Sequence, residues 1–199
     1  MKKVARCRSG AAGSHGAGRL RGRWGGGNTC GGVGGADDTG EELALIGEVV
    51  LRAVVEGDLP AFFEHQRDPE SVRMAAFPAR EREAFFEHWA KVRAEPGVII
   101  RTIVFDGQVG GNIGSFERGG ERLVGYWLGR EFWGKGIATG ALAAFLECDK
   151  TRPLYARVVP QNPGSIRVLE KCGFAAVGRD RAAAATGGPV MEEIVYRLG

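Results

Sequence analysis

Two tight turns followed by a strand–helix–strand unit constrain the fold of this chain more than any other feature. Asp106-Gly107 and Gly119-Gly120 each separate two apolar runs, which is typical of β-hairpins. The predicted strands are Val98–Phe105, Gln108–Glu117 and Leu123–Leu128. A hairpin joins antiparallel strands, whereas a helix between two strands joins parallel ones. We therefore expect a mixed sheet that is antiparallel at first and gains a parallel strand later.

The other predicted elements flank that sheet. The domain begins near Glu48 with a β-branched run, Val49–Val55. Asp58 precedes Leu59 and Pro60 as the expected cap of a first helix. Apolar spacing and turn residues predict a short helix from residue 69, helices at 80–94, 134–148 and 163–172, and strands at 154–159, 174–179 and 190–198. The expected fold class is α/β (α+β), with a mixed, mostly antiparallel, twisted sheet flanked by helices.

Residues 1–40 differ in composition from the domain at 48–199. The first 36 residues contain 12 of the 33 glycines and seven Lys or Arg but no carboxylate. They lack the apolar pattern that could offset chain entropy, so we expect a disordered, Gly-rich basic arm. It is interpreted as a solvated tail, as an upstream stretch outside the native protein, or as an RNA-binding tract, since Arg21–Gly27 resembles arginine-glycine segments. The net charge of +3 belongs to this arm.

The cysteines indicate neither a metal site nor a disulfide framework. They stand at positions 7, 30, 148 and 172, without a CxxC pair or a nearby histidine cluster. We therefore expect reduced thiols and no metal. No apolar run approaches the length of a membrane span, and the arm lacks the apolar segment of a secretory signal. A cytoplasmic protein without a membrane partner is expected.

The segment 126–139, YWLGREFWGKGIAT, predicts a site for a phosphate group. A strand ends there, and Gly134 and Gly136 open a helix whose unpaired N–H groups and positive dipole end favour an anion. The dinucleotide fingerprint GxGxxG is excluded because Thr139 replaces its last glycine. The P-loop pattern is excluded because Gly136 stands where Ser or Thr would hold magnesium.

Two motifs resemble those of the GNAT N-acetyltransferases, in the branch that includes the ribosomal-protein N-terminal acetyltransferases. The first is WGKGIAT at 133–139, and the second is NPGSIRVLEKCGF at 162–174. The resemblance covers about residues 48–198. It implies that coenzyme A lies where strands 123–128 and 154–159 splay apart, with its pyrophosphate on residues 134–139.

The resemblance also implies a set of residues that contact acetyl-coenzyme A. Backbone groups would hold the pantetheine arm, and Asn162 would donate to it. Cations would approach the phosphates, and Ser165 would lie near the thiol. The full set is Trp127, Leu128, Gly129, Arg130, Gly134, Lys135, Gly136, Ile137, Ala138, Thr139, Asn162, Ser165 and Lys171.

Two positions depart from the family pattern and affect the expected catalytic groups. Glu131 stands where relatives carry Gln or Arg, so a weaker contact with the coenzyme is expected. Leu169 stands where many relatives carry the tyrosine that protonates the thiolate. The catalytic candidates are therefore Ser165 and Glu117, the latter expected at a strand end that faces the cleft. Cys172 is interpreted as a packing residue, because a helix C-terminus disfavours a thiolate.

The expected reaction is direct transfer of acetyl to a primary amine, either a small amine or the N-terminus of a peptide or protein. The segment 64–78, with Met74 and Phe77, is expected to line the acceptor entrance. The alternative is a non-catalytic acyl-coenzyme A-binding module on the same fold, which turnover against an amine panel would distinguish. His65 and His88 are expected on helices without a catalytic partner. Nucleic acid is not an expected partner, except through the arm, and the protein is expected to be a monomer or a homodimer.

Overall fold

A computed structural model describes residues 6–7, 48–183 and 190–199 of the chain. The described strands are β1 Arg6–Cys7, β2 Val49–Arg52, β3 Ile99–Phe105, β4 Gln108–Arg118, β5 Glu121–Leu128, β6 Leu154–Val158, β7 Ala175–Ala183 and β8 Val190–Leu198. The helices are α1 Leu59–Arg67, α2 Pro69–Ala75, α3 Arg82–Ala94, α4 Ile137–Cys148 and α5 Pro163–Lys171. The strands form one sheet in the order β1-β2-β3-β4-β5-β6-β8-β7.

The predicted fold class is confirmed: the sheet is mixed and mostly antiparallel, and helices flank it. Both predicted hairpins are present, β3–β4 and β4–β5. Asp106 and Gly107 have positive φ angles of 47° and 78°, and Gly119 and Gly120 have 62° and 81°. These left-handed conformations explain why short polar residues and glycines occupy the turns.

The arm remains a prediction, because most of residues 1–40 lie outside the described part of the chain. The described exception is β1, which pairs in parallel with β2 through Arg6 and Val50. The composition of the arm does not predict this strand.

β5 and β6 form the parallel pair that the strand–helix–strand unit predicted, but they separate almost at once. Their pairing joins Leu123 to Tyr155, near the start of both strands. β5 then continues to Leu128 beside β4 alone, and β6 continues beside β8. The divergence leaves one edge of β5 unpaired and opens a gap in the sheet.

Apolar side chains form two core clusters. The larger one packs α4 and α5 against the sheet around fully buried residues such as Ile103, Leu142 and Phe145. The smaller cluster joins α1 to α3 and includes Phe62, Phe63, Phe85 and Trp89. Phe85 and Trp89 of α3 are therefore core residues, on the helix that apolar spacing predicted at 80–94.

Asp58 does not cap α1, and the prediction that it would is wrong. The residue stands at the helix start, but its side chain makes no capping hydrogen bond. It instead accepts hydrogen bonds from Arg52 Nη1 at 2.6 Å, Thr102 Oγ1 at 2.6 Å and Val55 N at 3.0 Å. A buried carboxylate is stabilised more by these partners, one of them charged, than by a single backbone amide.

Cys148 is disulfide-bonded, so the expectation of reduced thiols is wrong for this residue. Cysteine spacing along a chain does not reveal which residues meet in space, which is why the sequence missed it. Cys172 is a free thiol. In the described residues, no helix is both long and apolar enough to cross a membrane.

Asp149 forms a buried polar network beneath the sheet. Its Oδ2 accepts hydrogen bonds from Ser115 Oγ and from Arg122 Nε at 3.3 Å, and its Oδ1 accepts one from Thr151 N at 2.9 Å. The side chains of Asp149 and Arg122 are 1% and 9% exposed. Burial raises the pKa of Asp149, but hydrogen bonds from Ser115 and Thr151 and the charge of Arg122 outweigh burial and lower it.

Asp149→Ala is expected to lower the free energy of unfolding by about 3–5 kcal/mol, because the buried Arg122 guanidinium would lose its buried carboxylate partner and keep only the exposed Glu117 at 3.9 Å. Urea denaturation at pH 7 measures the loss. Since the pKa is lower in the folded state, the wild-type contribution is complete above the ordinary pKa and disappears as pH falls through the folded-state pKa. The difference in free energy of unfolding between the wild type and Asp149→Ala should therefore decrease at acidic pH.

Glu147→Ala is the control for this prediction. It removes an exposed carboxylate that pairs with Lys150 at 2.7 Å, two residues from Asp149. Exposed ion pairs contribute little, so this variant should unfold nearly as the wild type does. Equal losses of unfolding free energy in Glu147→Ala and Asp149→Ala would contradict the assigned role of Asp149.

Candidate active site

The gap between β5 and β6 opens into a cleft of about 410 Å³, closed by the N-termini of α4 and α5. This volume lies within the range of about 300–1,000 Å³ that is usual for small-molecule sites. Ten of the thirteen residues predicted to contact the coenzyme line it: Trp127, Leu128, Gly134, Gly136, Ile137, Ala138, Thr139, Asn162, Ser165 and Lys171. Two distant sequence motifs therefore meet in one site.

The N-terminus of α4 presents backbone N–H groups to the cleft. Gly136 is the N-cap residue, has φ 73° in the left-handed region, and provides no side chain to cap the helix. Asn162, in contrast, caps α5 with its own side chain. The N–H groups of residues 137–139 therefore remain available, and they coincide with the positive end of the helix dipole. A Cβ atom at Gly134 would meet no atom within 4 Å, so the loop has room for a ligand.

The unpaired edge of β5 offers a second set of backbone groups. Gly129 N donates to Gly110 O at 3.0 Å, and hydrogen-bonded and non-hydrogen-bonded pairs alternate along an antiparallel ladder. The backbone groups of Leu128 and Tyr126 therefore point away from β4, into the gap. Leu128 O accepts a hydrogen bond from Trp133 Nε1 at 3.1 Å, which leaves the Leu128 N–H as a donor inside the cleft.

The α5 side of the cleft is organised by Asn162. Its Oδ1 accepts the N–H of Ser165 at 3.0 Å, which fixes the first turn of the helix and directs Ser165 into the cleft. Because this bond uses only the oxygen, the amide nitrogen of Asn162 remains a donor for a ligand. Lys171 and Arg167 also line the cleft from α5, so the wall carries two cations.

Ser165 forms a hydroxyl pair with Tyr126, a contact that the sequence did not reveal. Tyr126 Oη lies 2.7 Å from Ser165 Oγ and 3.3 Å from Ser165 O. Burial raises the pKa of Tyr126 to about 12, although the Ser165 hydrogen bond lowers it in part. The phenol is therefore protonated at neutral pH and can donate to Ser165. The two residues lie 39 positions apart, so no local motif indicates that they meet.

Four predicted site residues lie outside the cleft. Gly129 is buried, and a Cβ atom there would stand 2.6 Å from His65 Nε2. Arg130 is exposed and pairs with Asp68 at 3.9 Å, and Lys135 is exposed. Glu117 is also exposed and lies 3.9 Å from Arg122 Nη1. Its expected position facing the cleft is wrong, because β4 runs antiparallel to β5 and places Glu117 beside the start of β5, whereas the cleft lies at its end.

The two departures from the family pattern are accommodated away from the cleft. Glu131 Oε1 lies 3.5 Å from His65 Nε2 on the far side of the loop. Burial lowers the pKa of His65, although Glu131 raises it in part. Leu169 is 1% exposed and belongs to the larger core cluster. Its position thus cannot supply an acid to the cleft. The hydroxyl residues that line the cleft are Ser71, Tyr126, Thr139 and Ser165, and of these Tyr126 and Ser165 form a pair.

A smaller cavity of about 140 Å³ adjoins the cleft, and Trp127 lines both. Of the residues predicted at the acceptor entrance, Met74 lines the cleft and Phe77 lines the smaller cavity. His88 lines the smaller cavity as well. In the described part of the chain, no three His, Cys, Asp or Glu residues are arranged to hold a metal ion.

Comparison with known proteins identifies this architecture. Residues 48–175 match the acetyltransferase (GNAT) domain. The chain is 30% identical over 127 residues, 59% of its length and 68% of the relative, to YdaF of Bacillus subtilis (strain 168), provisionally described as a ribosomal N-acetyltransferase.

Two solved structures share the fold. Spermidine N-acetyltransferase from Vibrio cholerae in complex with CoA and spermine matches with a TM-score of 0.65 and 17% identity, over 75% of this chain and 94% of that one. Mycobacterium smegmatis RimJ in complex with CoA-disulfide matches with a TM-score of 0.62 and 21% identity, over 76% and 82%. The chain belongs to the GNAT acetyltransferase family and is an N-acetyltransferase of the branch that resembles the ribosomal-protein enzymes.

Proposed function

We propose that this enzyme transfers the acetyl group of acetyl-coenzyme A directly to an α-amine, as found at the N-terminus of a peptide or protein. The observation that carries the proposal is the uncapped N-terminus of α4, which opens into the same cleft as the unpaired edge of β5. An anion site and a strand edge suit the pyrophosphate and the amide-bearing arm of one ligand. Two proteins of the same fold were solved with CoA or CoA-disulfide, which supports this choice of co-substrate.

The cleft residues fit the parts of acetyl-coenzyme A in order. The N–H groups of residues 137–139 would hold the pyrophosphate, and Lys171 or Arg167 would approach the 3′-phosphate. Asn162 Nδ2 and the backbone of Tyr126 would pair with the pantetheine amides. The thioester would then lie near the Ser165–Tyr126 pair.

The proposed reaction needs two forms of help from the protein. The amine nitrogen forms a bond to the thioester carbon, and the C–S bond then breaks, so negative charge develops first on the carbonyl oxygen and then on sulfur. The Leu128 N–H is the donor proposed for the oxygen. Ser165 is the donor proposed for the sulfur, and the nitrogen loses its extra proton to water. Holding both reactants in one cleft supplies much of the acceleration.

The lining of the cleft favours an acceptor that is already partly neutral. Among the described residues that line it, none is Asp, Glu or His, so no strong base is at hand. At pH 7, deprotonation costs about 4.6 kcal/mol for a lysine side chain of pKa about 10.4, and about 1–1.4 kcal/mol for an α-amine of pKa about 7.7–8.0. An α-amine therefore suits this site better. The name of the Bacillus relative also favours protein N-termini as acceptors and the cytoplasm as the location.

A matched pair of peptides tests this proposal. One peptide has a free N-terminus and no lysine, and the other has a blocked N-terminus and one lysine. At pH 7 and saturating acetyl-coenzyme A, we expect the first peptide to release free coenzyme A faster than the second. Thiol detection measures this release. Faster acetylation of the blocked peptide would refute the α-amine proposal. Coenzyme binding without turnover on any amine would favour the non-catalytic module.

A further inference from the structure

The cavity beside the cleft, here called the Arg80 pocket, has walls that are aromatic on most sides. Phe62, Phe77, Phe85, Trp89 and Trp127 contribute rings from four elements or the loops next to them. The pocket measures about 140 Å³, below the range of about 300–1,000 Å³ that encloses a whole ligand. It can therefore receive part of a molecule whose remainder lies elsewhere. Trp127 connects it to the cleft, so the remainder would lie where acetyl transfer is proposed.

Arg80 is the charged residue of this pocket and has no carboxylate partner among the described residues. Its guanidinium stands over the Phe77 ring, 5.2 Å from the centroid. Burial lowers the pKa of Arg80, and no neighbouring charge opposes this effect. Burial also lowers the pKa of His88, as do the charges of Arg80 and Lys91. The described lining contains no Asp or Glu, so Arg80 meets no acidic side chain among the residues that line the pocket.

The backbone of Arg80 is held firmly in place by Gln66. Gln66 Nε2 donates to Arg80 O at 2.8 Å, and Arg80 N donates to Gln66 Oε1 at 3.1 Å. Gln66 is buried, and both ends of its amide are used in this clamp. The clamp keeps the guanidinium at the pocket although Arg80 lies in a loop between α2 and α3. A cation that is fixed in an aromatic pocket without a counter-ion is suited to bind an anionic group.

We propose that the Arg80 pocket binds a carboxylate of the acceptor, together with the apolar group that carries it. The substrate class is then a peptide or amino-acid-like amine with a carboxylate close to the reacting α-amine. Polyamines are expected to be poor acceptors, because Arg80 would repel their positive charges. This inference rests on the proposed function, since it assumes that acceptor amines enter the cleft beside Trp127.

Three dipeptides that share an α-amine test the inference. Glycyl-phenylalanine carries a terminal carboxylate, glycyl-phenylalaninamide carries none, and glycyl-glutamyl-amide carries a carboxylate on its side chain. We expect kcat/KM to be at least about tenfold higher for one carboxylate dipeptide than for glycyl-phenylalaninamide, the size of a charged hydrogen bond. Which of the two is preferred identifies the source of the carboxylate. Spermidine should be the poorest acceptor.

Arg80→Met should remove this preference, so that the carboxylate dipeptides and the neutral amide react with similar kcat/KM, whereas Arg80→Lys should retain part of the preference. Arg82→Met is the matched control, because Arg82 stacks on Phe63 and Phe86 and does not line the pocket. Titration calorimetry of the same dipeptides with coenzyme A present supplies a readout that needs no turnover. Equal affinity for acid and amide, or a preference that survives Arg80→Met, would overturn the inference. Carboxylate-selective binding without turnover would support the pocket and contradict the proposed function.

Discussion

Gly136→Glu should abolish binding of acetyl-coenzyme A and reduce kcat/KM by at least about a thousandfold. The side chain would enter the space in front of the free N–H groups at the start of α4, and its charge would repel the pyrophosphate. In the wild type, saturating acetyl-coenzyme A should raise the melting temperature, because a ligand that binds only the folded state stabilises it. The variant should show no such increase.

Two further variants separate loss of the site from loss of the fold. Gly136→Ala imposes the same left-handed backbone on a residue with a Cβ, at a cost of about 1–2 kcal/mol, but adds no charge. Gly57→Glu adds the same side chain at an exposed position remote from the cleft, where a Cβ meets no atom within 4 Å. Both should retain a ligand-induced increase in melting temperature. If Gly136→Glu retained it too, the α4 N-terminus would not be the coenzyme site.

The fold could be predicted where the determinants are local. Asp106 and Gly107 specify a tight hairpin, and the apolar spacing of α3 specifies a buried helix face, so these elements lie where the sequence placed them. Asp58 shows where prediction from the local sequence fails. Its sequence context is that of a helix cap, but Thr102, 44 residues further along the chain, takes part in the interaction that occupies its side chain. A local pattern cannot anticipate a partner that only the folded sheet supplies.

Some features of the candidate site could likewise be predicted from local sequence, and others could not. The candidate anion site follows from the sequence alone, because a glycine-opened helix start brings its N–H groups together from consecutive residues; its ligand stays a prediction. Glu117 was misplaced because a strand-end position does not reveal which end of the neighbouring strand borders the cleft. The Arg80 pocket was missed because its walls come from α1, α3, β4, β5 and the loop before α3. Sites built from many elements depend on the register between those elements, which the sequence does not display.

Ser165→Ala should lower kcat by about a hundredfold, the lower end of the usual loss when one hydrogen-bond donor to developing negative charge is removed. Tyr126 donates to Ser165 Oγ in one of the two orientations of this hydroxyl pair, and the Ser165 hydrogen then points into the cleft. That hydrogen can form a hydrogen bond to the sulfur as negative charge develops there and the C–S bond breaks. The KM for acetyl-coenzyme A and the ligand-induced increase in melting temperature should stay close to the wild-type values, because the α4 contacts are intact.

Tyr126→Phe and Cys172→Ala distinguish this hydroxyl pair from the alternatives. Tyr126→Phe keeps the ring packing and removes one hydrogen bond to Ser165, so kcat should fall by at most about tenfold. Cys172 does not line the cleft, its Sγ lies 3.6 Å from Thr139 O, and burial raises its pKa. Cys172→Ala should therefore keep kcat within a few-fold of wild type. Direct transfer to the amine does not require a cysteine. If Cys172→Ala lost more activity than Ser165→Ala, direct transfer would be contradicted and the chemistry would be assigned to the Cys172 thiol.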